Sequence, residues 1–252
     1  MALILLALSV LPVILLMIFI YRQDKYEKEP IGLLIRAFVG GMIAIPLDLA
    51  LVMVIDSLFY SETVFFSAFV EAGFCEELCK FVILFLTIWW NKNFNEYMDG
   101  IVYATFVGLG FACVENVLYV LEGGIGTGIV RALLSVPGHF LFAVIMGYFF
   151  SLAKFNAKGR FSLLMTGLFG AVLAHGLFDW MLMITDKIHP FLAILIFLLF
   201  LAGDIMLWVI GIRYIRKHQE KSQFKNQNTM FQPANSNEPE YKHIDWNAGN
   251  KQ

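Results

Sequence analysis

The sequence predicts an all-α, polytopic transmembrane helical bundle of about seven spans, and three observations support that fold class. Of the 252 residues, 59% are hydrophobic and only 15% are charged, whereas charged residues make up about a quarter of ordinary soluble domains. The mean hydropathy is +0.72. Long apolar runs recur along the chain, each close to the length of about 20 residues that a helix needs to cross a bilayer.

Each apolar run is a candidate span. The first begins next to the N-terminus, but no basic residue precedes it and no small-residue cleavage site follows it, so we expect a retained transmembrane helix rather than a signal peptide. The predicted spans are residues 2–21, 32–55, 64–90, 100–121, 132–153, 161–183 and 190–212.

The composition changes abruptly after the last span. Residues 1–217 form the predicted transmembrane domain. Residues 218–252 are rich in Asn, Gln, Lys and Glu, a composition that cannot bury a core. We expect a disordered polar tail there.

Basic residues in the loops predict the orientation. Loops 22–31, 91–99 and 154–160 and the start of the tail carry most of them, whereas the alternate loops offer only Arg131 and Lys187. Since loops rich in Lys and Arg stay in the cytoplasm, we expect the N-terminus outside and the tail in the cytoplasm. The net charge of −2 gives no reason to expect a nucleic-acid partner, and the lipid bilayer is the expected environment.

Several ionisable residues lie inside the predicted spans, where charges are costly and usually functional. Counted at about 1.5 Å per residue, those of four helices fall at a similar depth, near the outer surface. They are Glu76 and Glu77, Glu115 and Asn116, His139, and His175 with Asp179.

The local spacing of these residues has a physical meaning. Glu76 and Glu77 precede Lys80 by four and three residues, which are helical ion-pair spacings. One glutamate can therefore be neutralised while the other faces the bundle interior as a general base. His175 precedes Asp179 by four residues, so the carboxylate can orient the imidazole.

Structural explanations exist for each feature taken alone. An ion pair can stabilise a helix, and buried histidines or a Glu115–Asn116 pair can hydrogen-bond between helices. It is the shared depth that favours a functional site. Asp48 lies at about the same depth but outside any motif, and Asp204 lies nearer the cytoplasmic half, without an assigned role.

Four segments together resemble the PrsW family of intramembrane proteases, related to CAAX-processing proteases and bacteriocin-immunity proteins. The similarity spans about residues 20–185, and the order and spacing of the segments are more specific than any segment alone. The segments are EELCK at 76–80, MDGIVYATFVGLGFACVENVLY at 98–119, RALLSVPGHFLFA at 131–143 and HGLFDW at 175–180.

The resemblance implies roles for particular residues. The wider group uses paired glutamates, then a histidine, then a histidine followed four residues later by Asn or Asp. The implied catalytic residues are Glu76, Glu77, His139 and His175, with Lys80, Glu115, Asn116 and Asp179 in support. Two departures stand out: CAAX-type members carry a basic residue, usually arginine, one position after Lys80, and Asn often replaces Asp179. Because an ionised aspartate cannot donate to an oxyanion, Asn116 becomes a candidate second donor, beside His139 and His175, which position the water or donate to the oxyanion.

The expected function is that of a glutamate-type intramembrane endopeptidase in a bacterial plasma membrane. Glu76 or Glu77 would activate a water without a required cofactor, although zinc stays open. The resemblance implies as substrate a single-span membrane protein, such as an anti-sigma factor, cut near its outer side during regulated proteolysis in stress signalling.

Three alternatives remain at this stage. Two histidines and a glutamate also suit a zinc metalloprotease, although no H-E-x-x-H motif is present. Buried Glu and His residues also suit a proton-coupled transporter, although no internal repeat relates the halves. A non-catalytic immunity or scaffold role is the third. The sequence leaves the identity of the base, the substrate and the oligomeric state open.

Overall fold

The computed structural model describes residues 2–224, and within that range the chain is helical with no strand, which confirms the predicted all-α membrane bundle. The helices are α1 (Ala2–Gln23), α2 (Ile31–Phe59), α3 (Val64–Phe66), a π-helix (Ser67–Glu76), α4 (Glu77–Ile88), α5 (Tyr97–Leu133), α6 (Ser135–Phe155), α7 (Arg160–Met183), a 3₁₀ turn (Ile184–Lys187) and α8 (Pro190–Glu220).

Five helical stretches within the described residues are long and apolar enough to cross a membrane. One of them, Tyr97–Phe155, has 59 residues and contains two predicted spans, because only Leu134 separates α5 from α6. The predicted span at 64–90 corresponds to α3, the π-helix and α4 and is not among the five. The number of seven spans and the orientation therefore stay predictions.

The last helix is longer than expected. α8 continues to Glu220, so residues 218–220 are helical although the sequence assigns them to the tail. His218 is fully buried, and its Nε2 lies 3.0 Å from the carbonyl oxygen of Tyr148 on α6. This contact holds the end of the helix against the bundle. From residue 225 the predicted tail lies outside the described residues.

The first half of α5 is the central element of the bundle. Every residue from 98 to 112 is buried, and glycines let neighbouring backbones approach closely. A Cβ added at Gly147 of α6 would lie 2.4 Å from the carbonyl oxygen of Gly100, and one at Gly110 would lie 2.0 Å from that of Phe38 in α2. α2 and α6 therefore pack directly on the α5 backbone.

The helix that carries the paired glutamates changes geometry beside them. Ser67–Glu76 is π-helical, and regular α-helix resumes at Glu77. Such segments are rare and occur frequently at functional sites. A Cβ at Gly73 would lie 3.2 Å from the backbone nitrogen of Gly176 in α7. This close packing brings the glutamates next to His175.

Candidate active site

Four side chains from three parts of the bundle converge in its interior. Glu76 and Glu77 come from the junction of the π-helix and α4, His139 from α6 and His175 from α7. One donor atom of each lies within 4.8 Å of the donor atoms of the other three. The two imidazole rings are 5.1 Å apart between centroids. The structure thus brings together the four residues for which the sequence predicts catalysis.

Lys80 links three of these side chains. Its Nζ lies 2.9 Å from Glu76 Oε2, 2.8 Å from Glu77 Oε1 and 3.1 Å from His139 Nδ1. It also lies 4.0 Å from the ring centroid of Phe111. An ammonium group has three N–H donors, and here each has a partner. Lys80 therefore binds both glutamates, whereas the sequence predicts neutralisation of only one.

A second carboxylate fixes the ring of His139. Because Lys80 donates to Nδ1, the neutral imidazole carries its proton on Nε2. That nitrogen donates to Glu115 Oε2 at 2.7 Å. The other carboxylate oxygen, Oε1, lies 3.0 Å from Nη2 of Arg131. The guanidinium of Arg131 thus holds the carboxylate of Glu115, which in turn orients the imidazole of His139.

His175 differs from the other converging histidine, because carboxylate oxygens face both of its ring nitrogens and each nitrogen must donate to be bonded. Its Nδ1 lies 3.0 Å from Glu77 Oε1 and 3.9 Å from Glu76 Oε2. Its Nε2 lies 3.3 Å from Asp179 Oδ2, one helical turn later in α7. The ring also stacks on Phe142, with 4.7 Å between centroids. Asp179 therefore contacts the imidazole on the side away from the glutamates.

Asn116 is bonded away from the converging group. It is fully buried, its Nδ2 donates to the carbonyl oxygen of Ser9 in α1 at 2.8 Å, and its Oδ1 accepts from Nε of Arg131 at 2.9 Å. These bonds join α1 to α5 and hold Arg131 in place. An oxyanion role for Asn116 would have to use its remaining N–H.

Sequence reasoning treated Arg131 only as a loop charge and so missed its place in the site. The backbone at Gly124 has a φ of 74°, a left-handed conformation that favours glycine. This kink reverses the second part of α5, so that Arg131 returns to Glu115 and Asn116. The glycines at 123, 124, 126 and 128 were the available signal.

Two further aspartates differ in their relation to the site. Asp48 of α2 is 8% exposed and interacts electrostatically with Lys80 and His175, so it belongs to the periphery of the site. Asp204 instead lines an apolar cavity between α7 and α8 with Leu177 and Phe200.

The converging residues fit a divalent metal such as zinc. Two imidazole nitrogens and two carboxylate oxygens are donors that zinc accepts. Behind each histidine stands a carboxylate, Glu115 or Asp179, an arrangement that commonly orients metal-binding imidazoles. Lys80 bonds to three of the same four side chains, so a metal would compete with its ammonium group.

Comparison with known proteins relates this chain to one protein family. Residues 29–203 match the family described as PrsW family intramembrane metalloprotease. A protein named Protease PrsW from Geobacillus kaustophilus is 36% identical over 188 residues, which cover 73% of this chain and 81% of the relative. The Bacillus subtilis protein of that name is 34% identical over 211 residues, covering 83% and 93%. The Clostridioides difficile protein is 33% identical over 230 residues, covering 85% and 91%. No solved structure matches the chain.

Proposed function

This chain belongs to the PrsW family of intramembrane proteases and is a multi-pass protease of a bacterial membrane, and from that premise we propose that it cleaves a single-span membrane protein with Glu76 as general base. The observation that carries the proposal is the convergence of two glutamates and two histidines within 4.8 Å. Membership among proteases sets aside the transporter and the non-catalytic alternatives.

The different surroundings of the two glutamates favour Glu76 as the base. The side chain of Glu77 is 1% exposed, and its Oε1 is bonded to both Lys80 and His175. The side chain of Glu76 is 12% exposed and is bonded to Lys80 through Oε2 alone. A general base must reach the water that it deprotonates. Glu77 then serves as the anchor that holds Lys80 and His175.

In the proposed reaction, Glu76 accepts a proton from a water molecule as the water oxygen attacks the scissile carbonyl carbon. The C–N bond then breaks, and Glu76 returns the proton to the leaving amine. The ammonium of Lys80 and the imidazole of His175 lie beside Glu76 and can stabilise the negative charge that develops on the carbonyl oxygen. Such preorganised electrostatic stabilisation is often the largest catalytic contribution.

A metal would be held by His139, His175 and Glu77. When bound, it would supply a Lewis acid that polarises the water and the scissile carbonyl. Glu115 and Asp179 orient the two imidazoles. Nδ1 of His175 thereby faces Glu77, and Nδ1 of His139 faces Lys80. Proton transfer by Glu76 is required with or without the metal.

The substrate class follows from the membrane and from the family resemblance. A transmembrane helix protects its backbone with its own hydrogen bonds, so the substrate must unwind locally near the cut. The loop charges favour a site near the outer surface. The resemblance points to a membrane-anchored anti-sigma factor, whose cleavage would serve stress signalling.

The proposal is tested by mapping new protein termini in membranes of cells that lack the endogenous gene. The cells express the wild type, Glu76→Gln, His175→Ala or, as a control, Glu71→Gln, an isosteric change on the same helix but outside the converging group. We expect new termini in a single-span protein with the wild type and the control only. Full cleavage by both Glu76→Gln and His175→Ala would refute the assignment.

The metal question has its own test. Elemental analysis of the purified wild type and of His139→Ala measures bound zinc directly. Chelation followed by addition of zinc then shows whether cleavage depends on it. Loss and recovery of cleavage would establish a metalloprotease, and cleavage that persists without bound metal would establish the glutamate-type reaction.

A further inference from the structure

A second cluster of carboxyl groups lies at the start of the central helix α5, away from Glu115 at its middle. The α1–α2 loop and the start of α5 contribute Asp24, Glu27, Glu29, Glu96 and Asp99, which we call the acidic cluster. All except Glu27 are at most 2% exposed. Sixteen residues of α5 separate the last of them from Glu115, which corresponds to about 24 Å along the helix. The acidic cluster is therefore distinct from the candidate active site.

Two members of the acidic cluster accept one hydroxyl hydrogen bond each. Tyr103 donates to Oε2 of Glu29, and Ser222, just after α8, donates to Oε2 of Glu96. The other carboxylate oxygen of each glutamate is buried and receives no N–H or O–H donor among the described residues. The carboxyl group of Glu29 does contact that of Asp99, and the side chain of Glu96 also accepts from the backbone of Asp99 in a capping box. The bonds thus satisfy only half of each group.

The remaining members are satisfied in part or not at all. Oδ2 of Asp99 accepts from the backbone nitrogens of Asn95 and Glu96, each at 2.8 Å. Oε1 of Glu27 accepts from Nδ2 of Asn95 at 3.2 Å. Asp24 is fully buried, and neither of its carboxylate oxygens has a partner within residues 2–224. A buried polar atom without a partner is costly, and here several occur together.

Seven buried oxygen atoms in this region receive no N–H or O–H donor within the described residues. They are Oδ1 and Oδ2 of Asp24, Oε2 of Glu27, Oε1 of Glu29, Oδ1 of Asn95, Oε1 of Glu96 and Oδ1 of Asp99. All are carboxylate or amide oxygens, and no nitrogen or sulfur donor stands among them.

Basic side chains do not balance this charge. Lys25 and Lys28 are the nearest in sequence, but Nζ of Lys28 donates to the backbone carbonyl oxygens of Tyr21 and Asp24 rather than to a carboxylate. In the described part of the chain, no ion pair involves the acidic cluster. Burial, together with repulsion from Asp99 and Glu96, raises the pKa of Asp24 to about 7.

We propose that the acidic cluster and Asn95 bind one hard divalent cation, calcium or magnesium, which joins the α1–α2 loop to the start of α5. Calcium takes six to eight oxygen ligands from carboxylates and amides, and magnesium takes six. Bound waters complete whichever shell forms. The bond between Ser222 and Glu96 extends this junction to the end of α8.

Cation binding requires the carboxylates to move inward. Among the described residues, the only group of three or more His, Cys, Asp or Glu side chains placed to hold a metal as it stands is Glu76, Glu77, His139 and His175. The carboxyl groups of Glu29 and Asp99 already lie in hydrogen-bond contact with each other, and a cation would take the place of the proton that such a contact needs. The proposed site is also chemically distinct, because an all-oxygen set selects calcium or magnesium whereas imidazoles suit zinc.

The test uses the full-length protein, purified in detergent and treated with chelator. Calcium and magnesium are added separately, and bound metal is measured by elemental analysis after equilibrium dialysis. Thermal unfolding is followed in parallel. We expect one cation per chain and a rise in Tm of roughly 5–10 °C at about 100 times the Kd. The more effective ion identifies the physiological class.

Single-residue variants test whether the acidic cluster binds the cation. Asp24→Asn and Asp99→Asn should lose both the bound cation and the rise in Tm, while Glu220→Gln, at an exposed position at the end of α8, should keep both. In chelator, Asp24→Asn should unfold at or above the wild-type temperature, because it removes repulsion; this also shows that the variant folds. If Asp24→Asn or Asp99→Asn fails to fold, Glu29→Gln takes its place in the experiment.

Three outcomes would overturn the proposal. The first is wild-type protein that binds neither ion and keeps its Tm, which would mean that the carboxyl groups are protonated instead. The second is binding that persists in both Asp24→Asn and Asp99→Asn. The third is binding that His175→Ala abolishes, which would assign the cation to the candidate active site.

Discussion

The middle and the start of the central helix α5 each border a buried group of carboxylates, yet the two groups differ in their partners. Beside the middle of α5, Glu76 and Glu77 share the ammonium of Lys80, and Glu115 is bonded to Arg131 and His139. At the start of α5 the acidic cluster has hydroxyl and backbone donors but no ion pair within the described residues. Burial alone therefore does not determine what a carboxylate does.

The difference follows from the energetics of buried charge. A buried ion without a partner is far more costly than one that is paired and hydrogen-bonded. In the candidate active site, the positively charged groups of Lys80 and Arg131 offset this cost. The glutamates therefore keep positions that suit proton transfer. The acidic cluster must take up protons or a cation from solution, which makes its stability depend on the medium.

The largest effect is expected when the proposed general base is replaced. Glu76→Gln removes the proton acceptor but keeps the shape of the side chain, so the rate of substrate cleavage should fall about 10²- to 10⁴-fold. Cleavage is measured by the appearance of the product of a co-expressed single-span substrate. Glu71→Gln should cleave at the wild-type rate. A wild-type rate in Glu76→Gln would transfer the role of base to another group.

The second prediction concerns the ammonium group of Lys80, which balances the negative charge of the active-site carboxylates. Lys80→Met leaves Glu76 and Glu77 buried without their cation, which should lower the free energy of unfolding by about 3–5 kcal/mol. The measurement is denaturant unfolding in detergent after chelation, with the exposed Lys92→Met as the matched control. Equal stability of the two variants would show that Lys80 does not balance the site. Recovery of Lys80→Met by added zinc would show that ammonium and metal are interchangeable.

The third prediction concerns the orientation of His175. Asp179→Ala removes the oxygen that contacts Nε2 and should lower kcat about 10- to 100-fold. Asp179→Asn keeps an acceptor oxygen without the charge and should recover part of that loss. A merely structural role would lower the Tm of both variants without this graded recovery of kcat, so Tm and kcat are measured together.

The smallest effect is a pH dependence at the acidic cluster. Burial raises the pKa values of Asp24 and Glu29 to about 7, from 3.8 and 4.5. The folded chain therefore holds protons that the unfolded chain releases, so the contribution of these two groups to stability is greatest below about pH 4 and is lost as the pH rises toward 7. The charged groups that act on these two are Glu27, Lys28, Glu96 and Asp99.

Thermal unfolding in chelator, measured between pH 5 and pH 8, checks this dependence. Tm should fall with rising pH in the wild type and fall less steeply in Asp24→Asn. Added calcium should flatten the wild-type profile. A Tm that increases with pH across this range in the wild type would contradict the sign of the effect.

Hydropathy was sufficient to predict the class of fold and most helix positions. All seven predicted spans begin within three residues of a helix start, those of α1, α2, α3, α5, α6, α7 and α8, because a bilayer imposes helices of a known minimum length. Two features escaped prediction. The extension of α8 to Glu220 depends on the contact of His218 with Tyr148. The contact of Arg131 with Asn116 depends on the left-handed backbone at Gly124.

Span length and helical rise suffice to count depth, so the pattern of residues alone identifies a helical membrane protein whose acidic and imidazole groups lie at a common depth. Which of these groups touch each other depends on how the helices pack. Lys80 reaches both glutamates and His139, and Asn116 faces α1 rather than the glutamates. Depth is measured along a helix axis, whereas contact depends on rotation and on packing against neighbouring helices, which no single span encodes.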